Sequence, residues 1–362
     1  MPQILSKHLA GMFTKWFFIV LSFFSVIVII FDYIELLRRV RSRPDITFGF
    51  ISKLVLFHYP NTVQQLMPFI VLFASMLMVW RLGRTAQLAV IRSTGISIRQ
   101  LLFPLLGVVT VYCVLDYAVL NPLGASMMEQ FEKLDNKVLR GQTNAFAVSD
   151  AGLWVRHEDP TGYAIVRISY LSPDQKQMRQ VSVYQFDASN IFEKRYDAAY
   201  VTVYDRYWKL HDVLMTQSNH TIQKMDEMNW STELDLAKVS GKFLSPDTLS
   251  VWELPHFISI LEKAGLSSVH HRLYWNSLLA RPLILCAMVF LGFIGSHRSM
   301  WRQAGYTYVF AAILISFLIY IFFNVSNAFG ISATIPVPLA AWAPSGISLF
   351  LLLAYLLHLE ES

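Results

Sequence analysis

The stretch QAGYTYVFAAILISFLIYIFFNVSNAFGISATIPVPLAAWAPSGISLFLLLAYLLHL, residues 303–359, holds no Asp, Glu, Lys or Arg in 57 positions. A helix that crosses a bilayer needs about 20 mainly apolar residues. The stretch is too long for one such helix and suits two, with a turn in its Asn/Gly/Pro-rich middle, residues 324–338. Working back along the chain, residues 16–31, 54–80 and 101–115 carry no charge, and the third run continues past Asp116 to Met128. Residues 273–296 are interrupted only by Arg281, which precedes Pro282. The expected fold is a polytopic α-helical membrane protein with six transmembrane helices, three before a polar insert and three after it.

Charge separates the insert from the rest. The chain is 54% hydrophobic and 15% charged, against about 45–50% and 25% in ordinary soluble proteins. Residues 129–272 hold 19 acids and 16 bases in 144 positions, a net −3, and the other 218 positions hold 6 acids and 14 bases, a net +8. A single soluble domain is excluded. So is a plain nucleic-acid binder, because the basic excess lies beside apolar spans, where anionic lipid is the commoner partner. The first span is too long for a cleavable signal and lacks a small-residue cleavage site. Lys7, Lys15, Arg81, Arg84, Arg92, Arg99, Arg298 and Arg302 against Arg38, Arg39, Arg41, Arg43 and Lys53 place both termini inside and the insert outside. Cys113 and Cys286 both fall in spans, so the insert has no disulfide framework.

The insert changes period. After the amphipathic run MMEQFEKLDNKVLRGQ come short Val/Ile/Tyr/Trp-rich segments at 152–157, 163–170, 180–187, 199–205 and 207–213, separated by turn signals such as DPTG and SPDQ. They predict an all-β sandwich, jelly roll or open barrel. The alternating aromatics are read as its core, or as an apolar groove for an acyl chain, or as an edge that adds to a neighbouring β-domain. Helix returns near residue 250, with Ser250 as N-cap and Glu253 completing a capping box. The domains are residues 1–128, with a coupling helix at about 84–93, then 129–272, then 273–362.

Chemical motifs are absent. Gly241-Lys242 is followed by Phe243 and lacks the upstream glycine of a phosphate loop. No HExxH, paired CxxC or GxSxG occurs, and adjacent His270 and His271 point to different helix faces, so neither catalytic residues nor a metal site are expected. Asp116 is either an intramembrane ion site or a residue near the outer interface.

Two segments carry more information. In FDYIELLRRVRSRPD, residues 31–45, four arginines stand on the trans side. Arginine forms forked hydrogen bonds to phosphate, so Arg38, Arg39, Arg41 and Arg43 could hold an anionic head group. Asp32 and Glu35 precede them by a turn, and simple interfacial ion pairing is the other reading. In RLGRTAQLAVIRSTGISIRQLLFP, residues 81–104, an amphipathic helix with Leu88 and Ile91 on one face, stopped by Gly95, is either an ordinary surface helix or one that docks on a cytosolic partner.

The chain resembles the LptF/LptG family, the permeases of the lipopolysaccharide-exporting ABC transporter of Gram-negative bacteria, and the G type more than the F type. The likeness runs over essentially the whole chain. It is carried by Ser93-Thr-Gly-Ile-Ser97, Asn121-Pro122, Gly152-Leu153-Trp154, Trp275, Arg281-Pro282-Leu283 and PLAAWAPS from Pro338 to Ser345. The resemblance implies a non-catalytic subunit without cofactor in the bacterial inner membrane, serving outer membrane biogenesis. Its partners would be an F-type second permease, a cytosolic ATPase dimer, a single-span LptC-like periplasmic protein and lipopolysaccharide. It also implies a periplasmic β-jelly-roll. Helices 1 and 5 would line the lipid cavity, with Phe24, Val28, Phe31, Phe310, Leu314, Phe317 and Ile321 as apolar lining and Asp32, Glu35 and the four arginines at its mouth. Arg84, Gln87, Leu88, Ile91 and Arg92 would contact the ATPase. Gln87 stands where the family commonly has an acid, and Asp32, Glu129 and Glu132 make the mouth less basic than in G-type members.

Two rivals come from other classes. Membrane subunits that transmit force, similar to lipoprotein-release and MacB-type proteins, usually have one helix before the large domain and three after it, which the three-plus-three order disfavours. A stand-alone secondary transporter would have to rest on Asp116 and Arg281.

Overall fold

The computed structural model describes residues 3–40, 48–85, 87–135, 146–149, 152–159, 162–171, 177–187, 191–204, 207–217, 222–231, 245–263, 267–301 and 305–361. The chain divides into two compact units: residues 1–135, 247–251 and 272–362, and residues 136–246 and 252–271. In chain order the helices are α1 (Gln3–Val40), α2 (Phe48–Arg84), α3 (Gln87–Ser93), α4 (Ile98–Leu115), α5 (Asn121–Leu134), α6 (Leu254–Lys263), α7 (Val269–Trp301), α8 (Gly305–Ile331) and α9 (Val337–Glu361). A π-helical turn, Asp116–Leu120, joins α4 to α5 as one long rod. Six rods are long and apolar enough to cross a membrane: α1, α2, α4 with α5, α7, α8 and α9.

In the helical unit α2 and α7 are central and α1 and α8 peripheral. The apolar windows of α2 and α7 are 61% and 72% buried, those of α1 and α8 only 22% each. Glycine sets the closest approach: a Cβ on Gly292 would stand 1.9 Å from the Ser75 hydroxyl and 2.8 Å from the Leu72 carbonyl oxygen, and one on Gly295 would stand 2.7 Å from the Ala312 Cβ. Small residues at such crossings let helices pack where water supplies no driving force. The α1 helix buries one stripe, Leu9, Phe13, Phe17, Val20, Val28, Asp32 and Leu36. Its steps of three, four or eight are those of one helical face.

The α8–α9 turn is shorter than expected. Helix continues through the Asn/Ser-rich run to Ile331, and the turn occupies residues 332–336, with Ala333 at φ 56°. The polar residues bind the hairpin instead. Ser326 donates to the Ala340 carbonyl at 2.8 Å, and Gly330 leaves room for the Ala340 side chain.

The second unit carries seven strands: β1 (Phe146–Ser149), β2 (Gly152–Asp159), β3 (Gly162–Leu171), β4 (Gln177–Asp187), β5 (Phe192–Val203), β6 (Tyr207–Gln217) and β7 (Ile222–Ser231). They form one antiparallel sheet in the order β1-β2-β3-β4-β5-β6-β7. Among the described residues this is a meander of sequential hairpins, without the Greek-key crossovers of the expected jelly roll. The α6 helix begins at Leu254, so Ser250 is not its cap. Ser250 lies instead in irregular chain between a short 3₁₀ segment, Pro246–Thr248, and the turn at 251–253.

The sheet is creased. Buried cross-strand rows run Ile168–Val181–Ala198–Val213 and Val166–Val183–Tyr196–Met215, and farther along Met178–Val201–Leu210. Between the Met178 row and the Ile168 row the buried residues step by three, from 178 to 181, 198 to 201 and 210 to 213. A regular strand would put residues three apart on opposite faces. Gln180 and Asp212 sit inside that step on β4 and β6, each at φ 52°, and a left-handed residue within a strand bends it and resets the alternation.

Candidate functional site

At the far end of α1 the charges are sorted by helix face. Asp32 is the charged member of the buried stripe at 8% exposure, and its Oδ2 lies 3.1 Å from His58 Nδ1 on α2. The His58 ring stacks on Phe131 of α5 with centroids 4.8 Å apart. Glu35 is solvent-facing and pairs with Arg39 one turn on, and Arg39 also reaches Asp135 at 3.9 Å. Glu129 pairs with Lys133 at 2.5 Å, and Glu132 is engaged as well. Asp32 and Glu35 therefore do not act as one pair: the first turns into the α1–α2 interface and the second outward. Arg38 is exposed and forms no ion pair among the described residues. Arg41 and Arg43 lie outside the described residues.

The apolar residues expected to line a cavity divide in the same way. Val28 is buried, and Phe24 is half-buried against Phe73 of α2 at 5.8 Å. Phe31 is exposed, as are Phe310, Leu314, Phe317 and Ile321, spaced by four, three and four along α8. Phe317 leans on Phe69 of α2 at 5.3 Å. Two helices of the same unit thus present unpartnered apolar faces, a property that suits either lipid or a lipid-filled cavity.

The loop between α2 and α4 differs from the sequence reading. Leu88 and Ile91 are buried at 3% and 8% and belong to the core that includes Leu82 and Leu101. They anchor α3 to its own chain and are not themselves available to a partner. The outward residues are Arg84, Gln87 and Val90, with Arg84 set over the Trp80 ring at 5.0 Å. The Arg92 side chain lies outside the description. The Ser-Thr-Gly-Ile-Ser run is turn chemistry. Ser93 and Thr94 donate to the carbonyls of Val90 and Ile91 at 2.8 and 2.7 Å. Gly95 takes φ 76°, and Ser97 caps α4 by accepting from the Gln100 N–H. Glycine ends a helix this way because it alone lacks a steric penalty there.

Within the apolar slab a polar cluster joins three helices. Arg281 Nη1 donates to Asp116 Oδ2 at 3.0 Å and to Gln64 Oε1 at 3.2 Å, while Gln64 Nε2 donates to the Leu120 carbonyl at 3.1 Å. Tyr117 donates to the Leu278 carbonyl at 2.7 Å. Asp116 opens the π-turn, a helix irregularity that frees backbone carbonyls. The Leu120 carbonyl that Gln64 reaches stands at the other end of the same turn. Asp116 and Arg281 are thus partners, the arrangement that intramembrane charge requires. Either residue alone is visible in the sequence, but nothing in their spacing of 165 positions reveals that they meet. His58, Gln64 and Asp135 are functional-looking residues with no motif to reveal them.

Comparison with known proteins agrees with the geometry. The model of the family described as lipopolysaccharide export system permease LptF/LptG matches residues 7–358. The lipopolysaccharide export system permease protein LptG of Haemophilus influenzae is 22% identical over 300 residues, 79% of this chain and 79% of that protein. The chain belongs to the LptF/LptG family. Membership makes it a transporter membrane subunit, not itself catalytic, and a multi-pass inner membrane protein.

Proposed function

We propose that this member of the LptF/LptG family is one permease half of an ATP-driven ABC transporter that draws lipopolysaccharide out of the inner membrane and passes it toward a periplasmic bridge to the outer membrane. In this reading both termini are cytoplasmic and the creased sheet is periplasmic. A second permease of the F type completes the membrane core, an ATPase dimer supplies energy through the outward face of α3, and a single-span LptC-like protein receives the lipid. The observation that carries the proposal is the pair of unpartnered apolar faces on α1 and α8, exposed at Phe31 and at Phe310, Leu314, Phe317 and Ile321, with Arg38 at the same end of α1 as Phe31. Acyl chains need such a lining, and lipid A phosphates need a cation that no acid has neutralised. Arg84, Gln87 and Val90 replace Leu88 and Ile91 as the surface offered to the ATPase.

The test places a photoreactive residue at Phe31, at Phe317 and at buried Val28. Crosslinking to lipopolysaccharide in native membranes is expected from the first two and not from the third, and an ATPase and a second permease of similar size should co-purify with the chain. Phospholipid adducts alone, or purification without an ATPase, would overturn the reading.

A further inference from the structure

At the opposite end of α1 lies an open groove of about 690 Å³, lined by Lys7, His8, Lys15, Trp16 and Ile19 of α1 and by Arg81 from the last turn of α2. We propose that this groove binds the head group of an anionic glycerophospholipid, its phosphate held by Lys7, Lys15 and Arg81 and one acyl chain laid along α1. The site stands apart from the lipopolysaccharide path proposed above and does not depend on it or on which side the N-terminus occupies.

Three observations support it. First, the cations are uncompensated. The sequence has no acid in residues 1–31 or 46–115, which covers the first 29 positions of α1 and all of α2, α3 and α4. Among the described residues no ion pair involves Lys7, Lys15 or Arg81. Second, the floor is cut out. Residues 7, 11, 15 and 19 are each four apart and share a helix face, and the residue between the two lysines is Gly11, whose missing Cβ would meet nothing within 4 Å. The volume is that of a small-molecule site, about 300–1,000 Å³. Third, the groove is graded. Above Lys15 the same face continues as Ile19 and Phe23, exposed at 45% and 64%, and Trp16 stands at the boundary, where an indole places its N–H in the head-group layer and its ring in the apolar layer. A basic pocket that passes into an apolar track matches a phosphate joined to an acyl chain. A free phosphate leaves the track unused, and an acidic peptide would have to cover Ile19 and Phe23 with lipid tails displaced.

The experiment uses the full chain, purified with whatever subunits accompany it, in nanodiscs of phosphatidylethanolamine doped with phosphatidylglycerol, and reads bound lipid by native mass spectrometry after gentle release. Wild type is expected to retain phosphatidylglycerol in preference to phosphatidylethanolamine. The Lys7→Ala/Lys15→Ala/Arg81→Ala variant should bind it about a hundredfold more weakly, at the usual contribution of a basic side chain near an anionic surface. Gly11→Leu keeps every charge, adds a Cβ that meets nothing within 4 Å and fills the floor, and it should lose retention as well. Lys53→Ala, a cation outside the groove, should not. Equal retention of both lipids, or retention unchanged in the triple variant or in Gly11→Leu, would overturn the site. Displacement of the lipid by millimolar inorganic phosphate would also overturn it, because the groove would then read phosphate without the chain.

Discussion

The two ends of α1 both gather cations and use them differently. At the far end Asp32 is turned toward His58, and Arg39 stands between Glu35 and Asp135, so the charges there knit α1 to α2 and α5. At the near end Lys7, Lys15 and Arg81 face a groove, with no acid in the first 29 positions of α1 or anywhere on α2. A cation with a local carboxylate spends most of its field on that partner, whereas one without keeps it for a ligand. Counting basic residues therefore says little about where an anionic lipid binds. The distribution of acids says more, and it singles out Arg38 at one end and the groove at the other.

The most buried ion pair among the described residues lies between those ends, and breaking it is expected to have the largest effect. Asp116 is 1% exposed and Arg281 16%, so Arg281→Leu leaves a carboxylate in the apolar slab without its cation. Removing one partner of a buried pair costs about 3–5 kcal/mol. A fall of that size is expected in thermal unfolding monitored in detergent, with a smaller fall for the double variant Asp116→Asn/Arg281→Gln, which deletes both charges together. Equal losses in the single and double variants would mean that the pair's charge is irrelevant and that its packing alone matters.

A smaller effect separates the two described arginines of the far end. Arg39→Gln removes an exposed helix-turn pair and a longer contact to Asp135, and such pairs contribute about 0.2–1 kcal/mol. Stability should fall by that amount, with little change in photocrosslinking to lipopolysaccharide. Arg38→Gln should do the reverse, lowering crosslinking with no change in melting. If both variants behave alike, paired and unpaired arginines are not distinguished at this surface.

The parts of the molecule that were readable from sequence are those with a short-range physical signature. Six apolar rods follow from the charge-free runs and lie where those runs are. The strands were readable only up to the crease: segments expected to start at 180 and 199 and to stop at 213 break off where Gln180 and Asp212 reset the alternation, because a period of two cannot be followed through a left-handed residue. β1 and β7 were missed for different reasons. β1 has only four residues, and β7, IQKMDEMNWS, alternates weakly and has one buried side chain, Trp230. In the loop after α2, amphipathicity correctly placed Leu88 and Ile91 on one face but could not say whether that face meets the chain's own core or a partner, since burial looks the same from sequence in both cases. The Asp116–Arg281 contact was out of reach because it joins helices far apart in the chain.

The smallest expected effect is also the one that tests the comparison most directly. If Lys7, Lys15 and Arg81 have no structural partners, then replacing all three by alanine removes no attractive contact, and stability should stay within about 0.5 kcal/mol of wild type, the range of surface changes away from special features. Lys7 and Lys15 are about 12 Å apart along the helix axis, so their mutual repulsion is weak and mostly screened at physiological salt. Lowering the salt should let the triple variant melt slightly above wild type in a neutral detergent. Adding phosphatidylglycerol should then raise the melting point of wild type alone, because a ligand stabilises only the form that binds it. A triple variant that melts well below wild type without lipid would show these cations to be clamps like Arg39, and the two ends of α1 would then differ in nothing but sequence.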